Sequence, residues 1–393
     1  MSWAAHGFSD GEIVSLGSGQ GVWGMVPEEE GHVFCAGQVL ARGPGPAHYL
    51  ADRRLHWLDL EAHGPNLGRR FLAVNPPTSA QRAPWMVTKA CRSCPGSYIR
   101  RVTEHPVTVN SNLAAVKNHS RTYEEFLFVY PVISRRSRGL SIGVNLNPDK
   151  VCNFDCIYCE VDRRTPPRAW RVEPARLREE LGQMIALVRT GGLFRQSRFN
   201  DAAALATDIK DIAFSGDGEP TMIPNFAECV QLVADVKQQE RLDSTKIVLI
   251  TDAAGLDKAD VRRGLEIMDA NNGEIWGKLD AGTEAYFKLV NRSPIRFDRI
   301  LKNLLDTARV RPIAIQSLFL RVHDEPMPAT ELTAYCERLN ELRRDGAQIK
   351  EVQAYTVARP TPEAFATRLT SAELEAVATT IRQETGLAVS AFE

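Results

Sequence analysis

The sequence predicts an α/β fold: a partial (βα)6 barrel of parallel strands with outer helices, preceded by an irregular N-terminal extension. From about residue 140 onward, short apolar runs of strand length alternate with amphipathic segments of helical length. Such alternation is typical of parallel βαβ units. Six strands are too few for a closed eight-stranded barrel and suit an open, partial barrel or a doubly wound sheet. In either fold the ligand site lies at the carboxyl ends of the strands.

Each predicted element follows from its own apolar pattern, in chain order. The predicted strands cover 140–146, 209–214, 246–250, 275–279, 313–322 and 351–357. The predicted helices, with apolar residues at helical spacing, cover 174–189, 226–238, 258–268, 284–289, 298–308, 329–344 and 371–384. The first strand leads directly into a loop with three cysteines, and the second strand ends at a glycine-rich segment.

Three regions of the chain differ in composition. Residues 1–85 are rich in Gly, Pro, Trp and His without sustained periodicity, which predicts an irregular, loosely ordered extension. Residues 86–138 form a basic lead-in segment with nine basic and three acidic groups. Residues 139–393 carry a net charge of −5 and form the predicted barrel domain.

The net charge of the whole chain is −1, which gives no sign of polyanion binding. The basic lead-in is the exception, and its Arg135, Arg136 and Arg138 lie closest to the three cysteines. Such a stretch attracts phosphates, including those of RNA. A solvated basic surface is the alternative.

The composition, 44% hydrophobic and 25% charged, is that of a soluble globular protein. No apolar run is long enough to predict a membrane-spanning helix, and the first ten residues lack a secretory signal pattern. We therefore expect a cytoplasmic protein with no membrane partner. Eight cysteines are too sparse for a disulfide scaffold, and in a reducing compartment they indicate metal binding or redox chemistry.

Cys152, Cys156 and Cys159 have the spacing C-x3-C-x2-C. Thiolates this close in sequence can converge on one inorganic cluster if the backbone forms a compact loop, and soft thiolates are the ligands that iron–sulfur clusters need. Three ligands leave one iron of a four-iron cluster open to another molecule. The alternative is a structural zinc site, which normally has four ligands, and the neighbouring Asp155 and Glu160 are hard oxygen donors.

With the aromatic residue Tyr158 before its last cysteine, this loop resembles the signature of the radical S-adenosylmethionine (SAM) superfamily. The resemblance implies a [4Fe–4S] cluster on the three cysteines, with SAM bound at the open iron. It also implies reductive cleavage of SAM, hydrogen abstraction from a substrate, and an external one-electron reductant similar to flavodoxin or ferredoxin.

A second motif follows the second predicted strand and resembles the glycine-rich SAM-binding segment of the same superfamily. Glycines let the backbone approach a ligand, and Glu219 is expected to accept a hydrogen bond from the SAM ammonium group. A turn without a ligand is the alternative. Gly-Asp-Gly-Glu replaces the family's Gly-Gly-Glu, and the expected SAM contacts are Ser215, Gly216, Asp217, Gly218, Glu219 and Pro220.

Thr251 and Asp252 follow the third predicted strand, where the family places polar contacts to the SAM ribose. Many members have Thr-Asn-Gly at this point, so Asp252 and Ala253 depart from the pattern. Capping of the next helix by Thr251 or Asp252 is the alternative.

Lys278, Asp280 and Arg321 are the candidate catalytic residues. Lys278 and Asp280 alternate with apolar residues at the end of a strand, so both are expected to point into the barrel. A buried ion pair is costly unless it serves a site, and a structural pair is the alternative. Arg321 on the next strand is also expected to point inward, with a salt bridge at the rim as its alternative.

Segments 130–144, 214–221, 278–283 and 352–360 narrow the resemblance, which covers residues 120–393, to a radical SAM group that is classed with the wyosine-base synthesis enzymes of tRNA. By analogy, this resemblance implies a modified guanine base in tRNA as substrate. Wyosine-forming enzymes also use pyruvate, a lysine that forms a Schiff base and a second cluster. Lys278 is a candidate for that lysine. Cys91 and Cys94, spaced C-x2-C, are candidates for a second metal site, with a zinc site or two free thiols as equal alternatives.

Two other functions stay open on the sequence alone. One is the same radical chemistry on a peptide or small metabolite, which the acidic barrel domain and the lack of a recognisable RNA-binding module favour. The other is a non-catalytic iron–sulfur protein, which would have no need of the glycine–glutamate motif.

Overall fold

Two units divide the chain, one over Met1–His105 and the other over Pro106–Glu393. A computed structural model describes the backbone of five short strands in the first unit. In the second unit it describes residues 113–117, 120–205, 208–359 and 361–393, with side chains throughout except at 117 and 203–205. Among the described residues, no helix is long and apolar enough to cross a membrane.

The first unit contains a five-stranded sheet in the order β1-β2-β3-β5-β4. Strands β3 and β5 pair in parallel, and the other neighbours pair antiparallel. The sequence showed no strand periodicity in this region, and the connections between the strands lie outside the described residues, so an irregular extension stays a prediction. The strands are β1 (Ile13–Ser15), β2 (Gly21–Met25), β3 (His32–Gly37), β4 (Leu55–Leu60) and β5 (Arg69–Val74).

The second unit is built on a curled half-barrel of eight strands, which confirms the predicted partial barrel. Neighbouring strands run parallel except at one edge, where β6 and β7 form an antiparallel hairpin. In chain order the strands are β6 (Val129–Ser134), β7 (Gly139–Val144), β8 (Ile209–Phe214), β9 (Lys246–Thr251), β10 (Gly273–Lys278), β11 (Ile313–Leu318), β12 (Leu320–Val322), β13 (Ile349–Tyr355), β14 (Ala366–Arg368) and β15 (Val389–Phe392). Their order across the sheet is β15-β13-β11-β10-β9-β8-β7-β6, and β12 pairs separately with β14.

The six predicted strands form the centre of this sheet, and the structure adds β6 at one edge and β15 at the other. The predicted strand over 313–322 divides into β11 and β12. The division falls where the Asp280 carboxylate accepts the backbone N–H of Leu318, at 2.8 Å. Beyond this point the chain leaves the large sheet.

Helices connect the strands, within a few residues of the predicted bounds. Thr283 caps the helix after β10 by accepting the Tyr286 N–H at 3.2 Å, and Thr370 with Glu373 forms a capping box at the last helix. The helices are α1 (Ala114–Lys117), α2 (Pro174–Arg189), α3 (Phe226–Gln239), α4 (Ala259–Ala270), α5 (Glu284–Asn291), α6 (Phe297–Val310), α7 (Ala329–Arg344) and α8 (Ser371–Thr385).

The two faces of the half-barrel bury side chains of different size. Large aliphatic and aromatic residues such as Ile212 and Phe214 pack in the main core with the helices. Residues of opposite phase, including Ala213 and Ala314, form a separate small cluster with Val248 and Trp276. Small side chains on this second face leave room for a cavity inside the curl of the sheet.

Candidate functional site

A cavity of about 270 Å³ lies inside the half-barrel, and the three predicted cluster cysteines all line it. Its wall includes the last residues of several strands, among them Thr251, Lys278 and Tyr355, so the cavity reaches the carboxyl ends of the strands as the fold class predicts. The predicted Tyr158, Ser215, Gly216, Asp217, Gly218, Glu219 and Asp252 line the same cavity.

The cysteine loop is held against helix α5. The backbone N–H groups of Asp155 and Ile157 donate to the carbonyl oxygens of Asn291 (3.1 Å) and Val290 (2.9 Å) at the end of that helix. The Phe154 ring packs edge-on against the Phe287 ring, with centroids 5.3 Å apart. These contacts fix the backbone between the first and last cysteine.

A buried polar network joins the loop to strand β10. The Asn291 side-chain amide donates to Cys156 Sγ at 3.4 Å, to Tyr158 Oη at 3.2 Å and to Asp280 Oδ2 at 2.9 Å. The Tyr158 hydroxyl also donates to the Asp280 carboxylate. Asp280 therefore holds Tyr158, and with it the cysteine loop. Asn291 was not predicted, because a polar residue in the last turn of an amphipathic helix carries no sequence signal of its own.

The thiols of Cys152 and Cys156 lie in an environment that disfavours their unbound anions. Burial raises the pKa of Cys152 and of Cys156 to about 12. At neutral pH they become thiolates only when a cation such as iron binds them. The described residues contain no group of three His, Cys, Asp or Glu side chains arranged around a single metal ion. The ligands of a cluster bind different irons, so that arrangement is not the one a cluster requires.

The glycine-rich segment approaches the cysteine loop too closely for larger residues. A Cβ atom on Gly218 would overlap the Val151 carbonyl oxygen, and one on Gly216 would overlap the Asn145 side chain. The Asp217 carboxylate accepts the Asn145 amide at 2.8 Å and the Arg121 guanidinium at 3.3 Å. Asp217 is therefore already paired within the chain.

The remaining hydroxyl and proline of this motif shape the segment. The Ser215 hydroxyl lies 3.0 Å from Tyr130 Oη and forms a hydrogen bond with it. Pro220 begins a single 3-10 turn after Glu219. Asn145, Arg121 and Tyr130 were not predicted, since their link to the motif depends on segments at least 72 residues apart.

Glu219 is buried and accepts four hydrogen bonds from the chain itself. Its Oε1 accepts the hydroxyls of Thr221 and Thr251, both at 2.6 Å, and the N–H of Thr221 at 3.1 Å. Its Oε2 accepts the N–H of Asp252 at 2.8 Å. Burial raises the Glu219 pKa despite these four donors.

Asp252 faces Glu219 and is less well satisfied. Its Oδ1 accepts the Ala254 N–H at 2.9 Å, but its buried Oδ2 has no hydrogen-bond partner among the described residues. Burial, with the charge of Glu219 as the next cause, raises the Asp252 pKa well above its usual range. Two buried carboxylates in this arrangement require a shared proton or a bound cation.

Lys278 lies between aromatic rings beneath the cysteine loop. Its ammonium donates to Tyr355 Oη at 2.7 Å, lies 3.5 Å from Asp280 Oδ2, and sits 5.0 Å from the Tyr158 ring centroid. Burial lowers the Lys278 pKa, but Asp280 and Tyr355 outweigh it and raise the pKa above the usual lysine value. Asp280 and Tyr355 therefore favour the protonated form of Lys278, and its role as a Schiff-base lysine stays a prediction.

Arg321, the third candidate catalytic residue, is not part of the cavity wall. It lies on β12, pairs with Glu373 and donates to the Asp324 carbonyl oxygen. This is the rim salt bridge that the sequence left as its alternative. Cys91 and Cys94 lie outside the described residues, so the second metal site stays a prediction.

The comparisons with known proteins find distant relatives. No family model matches the chain. It is 25% identical over 278 residues to a protein named GTPase Obg of Brachyspira hyodysenteriae, covering 70% of this chain and 36% of that protein. It is 25% identical over 230 residues to a UPF0026 protein of Helicobacter pylori (57% and 67% of the two chains). It is 27% identical over 180 residues to a UPF0026 protein of Methanocaldococcus jannaschii (44% and 47%).

Among solved structures, a crystal structure of archaeal TYW1 aligns with 68% of this chain and 78% of its own, at 14% identity and a TM-score of 0.36. The matched segment spans only about a third of the Brachyspira protein. In addition, the 393 residues contain no Gly-x4-Gly-Lys-Ser/Thr phosphate-binding sequence. We therefore do not transfer GTPase activity from that relative to this chain.

Proposed function

We propose that this chain is a radical SAM enzyme, with a [4Fe–4S] cluster on Cys152, Cys156 and Cys159. The observation that carries the proposal is that one cavity at the strand ends is lined by all three cysteines and by a buried carboxylate pair. The thiols supply the soft ligands that a cluster requires. The carboxylate pair supplies an unfilled acceptor, Asp252 Oδ2, for a cation.

The donor set fits the amino-acid end of SAM. Because Glu219 already accepts four hydrogen bonds, we propose that the ammonium group of SAM donates chiefly to the Asp252 carboxylate. Glu219 would orient the Asp252 backbone by accepting the Asp252 N–H. Gly216 and Gly218 keep the cysteine loop close to these acceptors. A cluster and SAM bound here would supply reductive cleavage of SAM and abstraction of a hydrogen atom from the substrate.

The chain's own residues would position the reaction and exclude water. The network of Asn291, Asp280 and Tyr158 fixes the loop that carries the thiolates. Lys278 stays protonated beside Cys156 and provides a fixed positive charge near the anionic cluster. Electrons would come from an external one-electron reductant of the flavodoxin or ferredoxin type.

For the substrate we propose a modified base of tRNA, supported by the sequence resemblance and by Arg121, Arg135 and Arg136 of the basic segment, which line the cavity. A peptide or small metabolite is the second candidate, favoured by the net charge of −5 over residues 139–393. Affinity for tRNA measured across a salt series separates the two, because phosphate contacts weaken steeply with salt. No affinity at low salt would remove the tRNA substrate.

The test of the enzyme class is anaerobic reconstitution of the full chain with iron and sulfide, followed by SAM and dithionite. We expect about four irons per chain and release of 5′-deoxyadenosine that requires both SAM and reductant. A reconstituted protein with a full cluster that never cleaves SAM would instead be a non-catalytic iron–sulfur protein. A protein that takes up one zinc and no iron would overturn the cluster itself.

A further inference from the structure

Two arginines in the cavity wall form no ion pair with the residues whose side chains the structure describes. Arg135 and Arg136 follow strand β6 in the hairpin turn and line the same cavity as the cysteines. Neither guanidinium forms a hydrogen bond or ion pair with any residue whose side chain the structure describes. Partly buried cations usually find a carboxylate, so these two stand out from the other charged groups of the wall.

The other cations of the wall are all engaged. Arg121 pairs with Asp217 at 3.3 Å, and Lys278 lies 3.5 Å from Asp280. Arg359 donates from Nε to Glu160 Oε2 at 2.7 Å. Arg163, the remaining cation, donates to the Lys150 carbonyl oxygen and lies near Cys159 Sγ.

Arg136 extends across the open side of the half-barrel. Its guanidinium lies 5.0 Å from the ring centroid of Tyr355 and 5.7 Å from that of Trp276. These rings belong to β13 and β10, whereas the arginine follows β6 at the far edge of the sheet. The aromatic faces hold the guanidinium in place without neutralising it, so its N–H donors stay available to a ligand.

Arg135 lies beside two further guanidinium groups. Burial and the nearby charges of Arg136 and Arg359 lower its pKa to about 10. Crowding of like charges in a partly buried place destabilises the cavity unless an anion is present. A planar guanidinium binds phosphate or carboxylate through two parallel hydrogen bonds, and two adjacent guanidiniums can share one anion.

We infer that Arg135 and Arg136 form an anion-binding subsite for a phosphate or carboxylate group of the substrate. The inference deepens the proposed function and rests on it for the role of the cavity. The subsite differs from the place assigned to the SAM ammonium group. Asp252 and Glu219 follow β9 and β8, whereas Arg136 contacts rings of β10 and β13. The substrate would therefore enter on the β13 side with its anionic group towards the hairpin.

The test compares anion binding by the reconstituted full chain and by R135Q/R136Q, using inorganic phosphate and acetate as probes in calorimetric titrations. We expect the double substitution to weaken binding of the preferred anion about ten-fold or more, because two charge-assisted contacts are lost. R135K/R136K, which keeps both charges but not the paired N–H donors, should lose less affinity than R135Q/R136Q. The matched control is Arg344→Gln, an exposed arginine at the end of α7, which should leave anion binding unchanged.

The choice between the probes identifies the source of the anion. Stronger binding of phosphate indicates a phosphorylated substrate, and stronger binding of acetate indicates a carboxylate. The inference is overturned if neither anion binds the wild-type chain, or if R135Q/R136Q binds as tightly as wild type. It is also overturned if the double variant loses SAM affinity by the same factor, because the pair would then hold the SAM carboxylate.

Failure of the proposed function would look different. In that case the wild-type chain would form no 5′-deoxyadenosine, while phosphate or acetate affinity would still depend on Arg135 and Arg136. The anion subsite would then stand without the radical chemistry.

Discussion

The two ends of the parallel sheet treat buried carboxylates in opposite ways. At the amino end, the Glu274 carboxylate on β10 accepts hydrogen bonds from the Lys246 ammonium and, at 3.1 Å, from the Trp276 indole N–H. It also forms an ion pair with Lys350 at 3.3 Å. Burial raises its pKa, but the hydrogen bond and charge of Lys246 outweigh burial and the net pKa is lowered. At the carboxyl end, burial raises the pKa values of Glu219 and Asp252, neither of which forms an ion pair with a described residue.

This difference separates the stabilising end of the fold from the end where we propose that SAM binds. A carboxylate whose acceptors are all filled by cations contributes to folding and has nothing left for a ligand. A buried carboxylate with an unfilled oxygen destabilises the fold until a ligand arrives. Substitutions at the two ends should therefore change the free energy of unfolding in opposite directions, and only those at the carboxyl end should change SAM binding.

The largest effect is expected at Cys156. We predict that Cys156→Ala abolishes the cluster and with it SAM cleavage, because two thiolates cannot hold the iron–sulfur cube in place of three. The measurement is iron and sulfide content after anaerobic reconstitution, with 5′-deoxyadenosine as the second readout. Cys336→Ala is the matched control, since Cys336 is buried in α7 and does not line the cavity. Full iron content in Cys156→Ala would show that the cysteine loop is not the cluster site.

Asp252→Asn should have an intermediate effect, weakening SAM binding while stabilising the SAM-free fold. The substitution keeps the shape but removes the charge, so SAM should bind about ten-fold more weakly, as expected for loss of one charge-assisted hydrogen bond. The free energy of unfolding of the SAM-free chain should rise by about 1 kcal/mol at pH 7, because the substitution removes a buried carboxyl group that ionises more readily in the unfolded chain. Equilibrium binding of SAM and urea unfolding measure the two changes. Unchanged SAM affinity would exclude Asp252 as the ammonium acceptor.

The same substitution should change how stability depends on pH. The folded pKa of Asp252 lies above its unfolded value of about 3.9. The free-energy cost of this raised pKa is therefore absent below the unfolded value and grows as pH rises towards the folded pKa, because only the unfolded chain ionises Asp252 in this window. Over this window the wild-type chain should lose stability relative to Asp252→Asn. A parallel pair of stability curves would contradict the raised pKa.

The sequence predicted what local spacing encodes. Cys152, Cys156 and Cys159 lie within eight residues, so their meeting in one cavity required only a compact loop. The central strands and their helices were predicted because each carries its own apolar pattern. Strand β6 was missed since Pro131 interrupts its pattern, and proline is tolerated there because β6 is an edge strand.

The polar contacts of the site could not be predicted, because they join distant segments. Asn291 reaches Cys156 across 135 residues. Glu219 accepts hydrogen bonds from Thr251 at the end of β9 and from Asp252 just after it, 32 and 33 residues away. The Asp252 Oδ2 atom is then the carboxylate oxygen that has no partner among the described residues. The polar residue types at the strand ends identified the region of the candidate site. Which carboxylate oxygen of Glu219 or Asp252 has no hydrogen-bond partner depends on how the folded chain packs.

The smallest effect is expected at the amino end of the sheet, where Glu274→Gln should lower the free energy of unfolding that Asp252→Asn raises. We predict a loss of about 1 kcal/mol in the free energy of unfolding at pH 7, modest because both lysine partners are about half exposed. Affinity for SAM and cluster content should not change, since Glu274 does not line the cavity. The lowered folded pKa means that this contribution is complete above about pH 4.3 and is lost as pH falls through the folded pKa. At pH 7 Glu274→Gln should therefore be less stable than wild type, and this difference should shrink on acidification. Asp252→Asn should be more stable than wild type at pH 7, and that difference should also shrink on acidification. Equal signs for the two variants in urea unfolding at pH 7 would contradict the division between the two ends of the sheet.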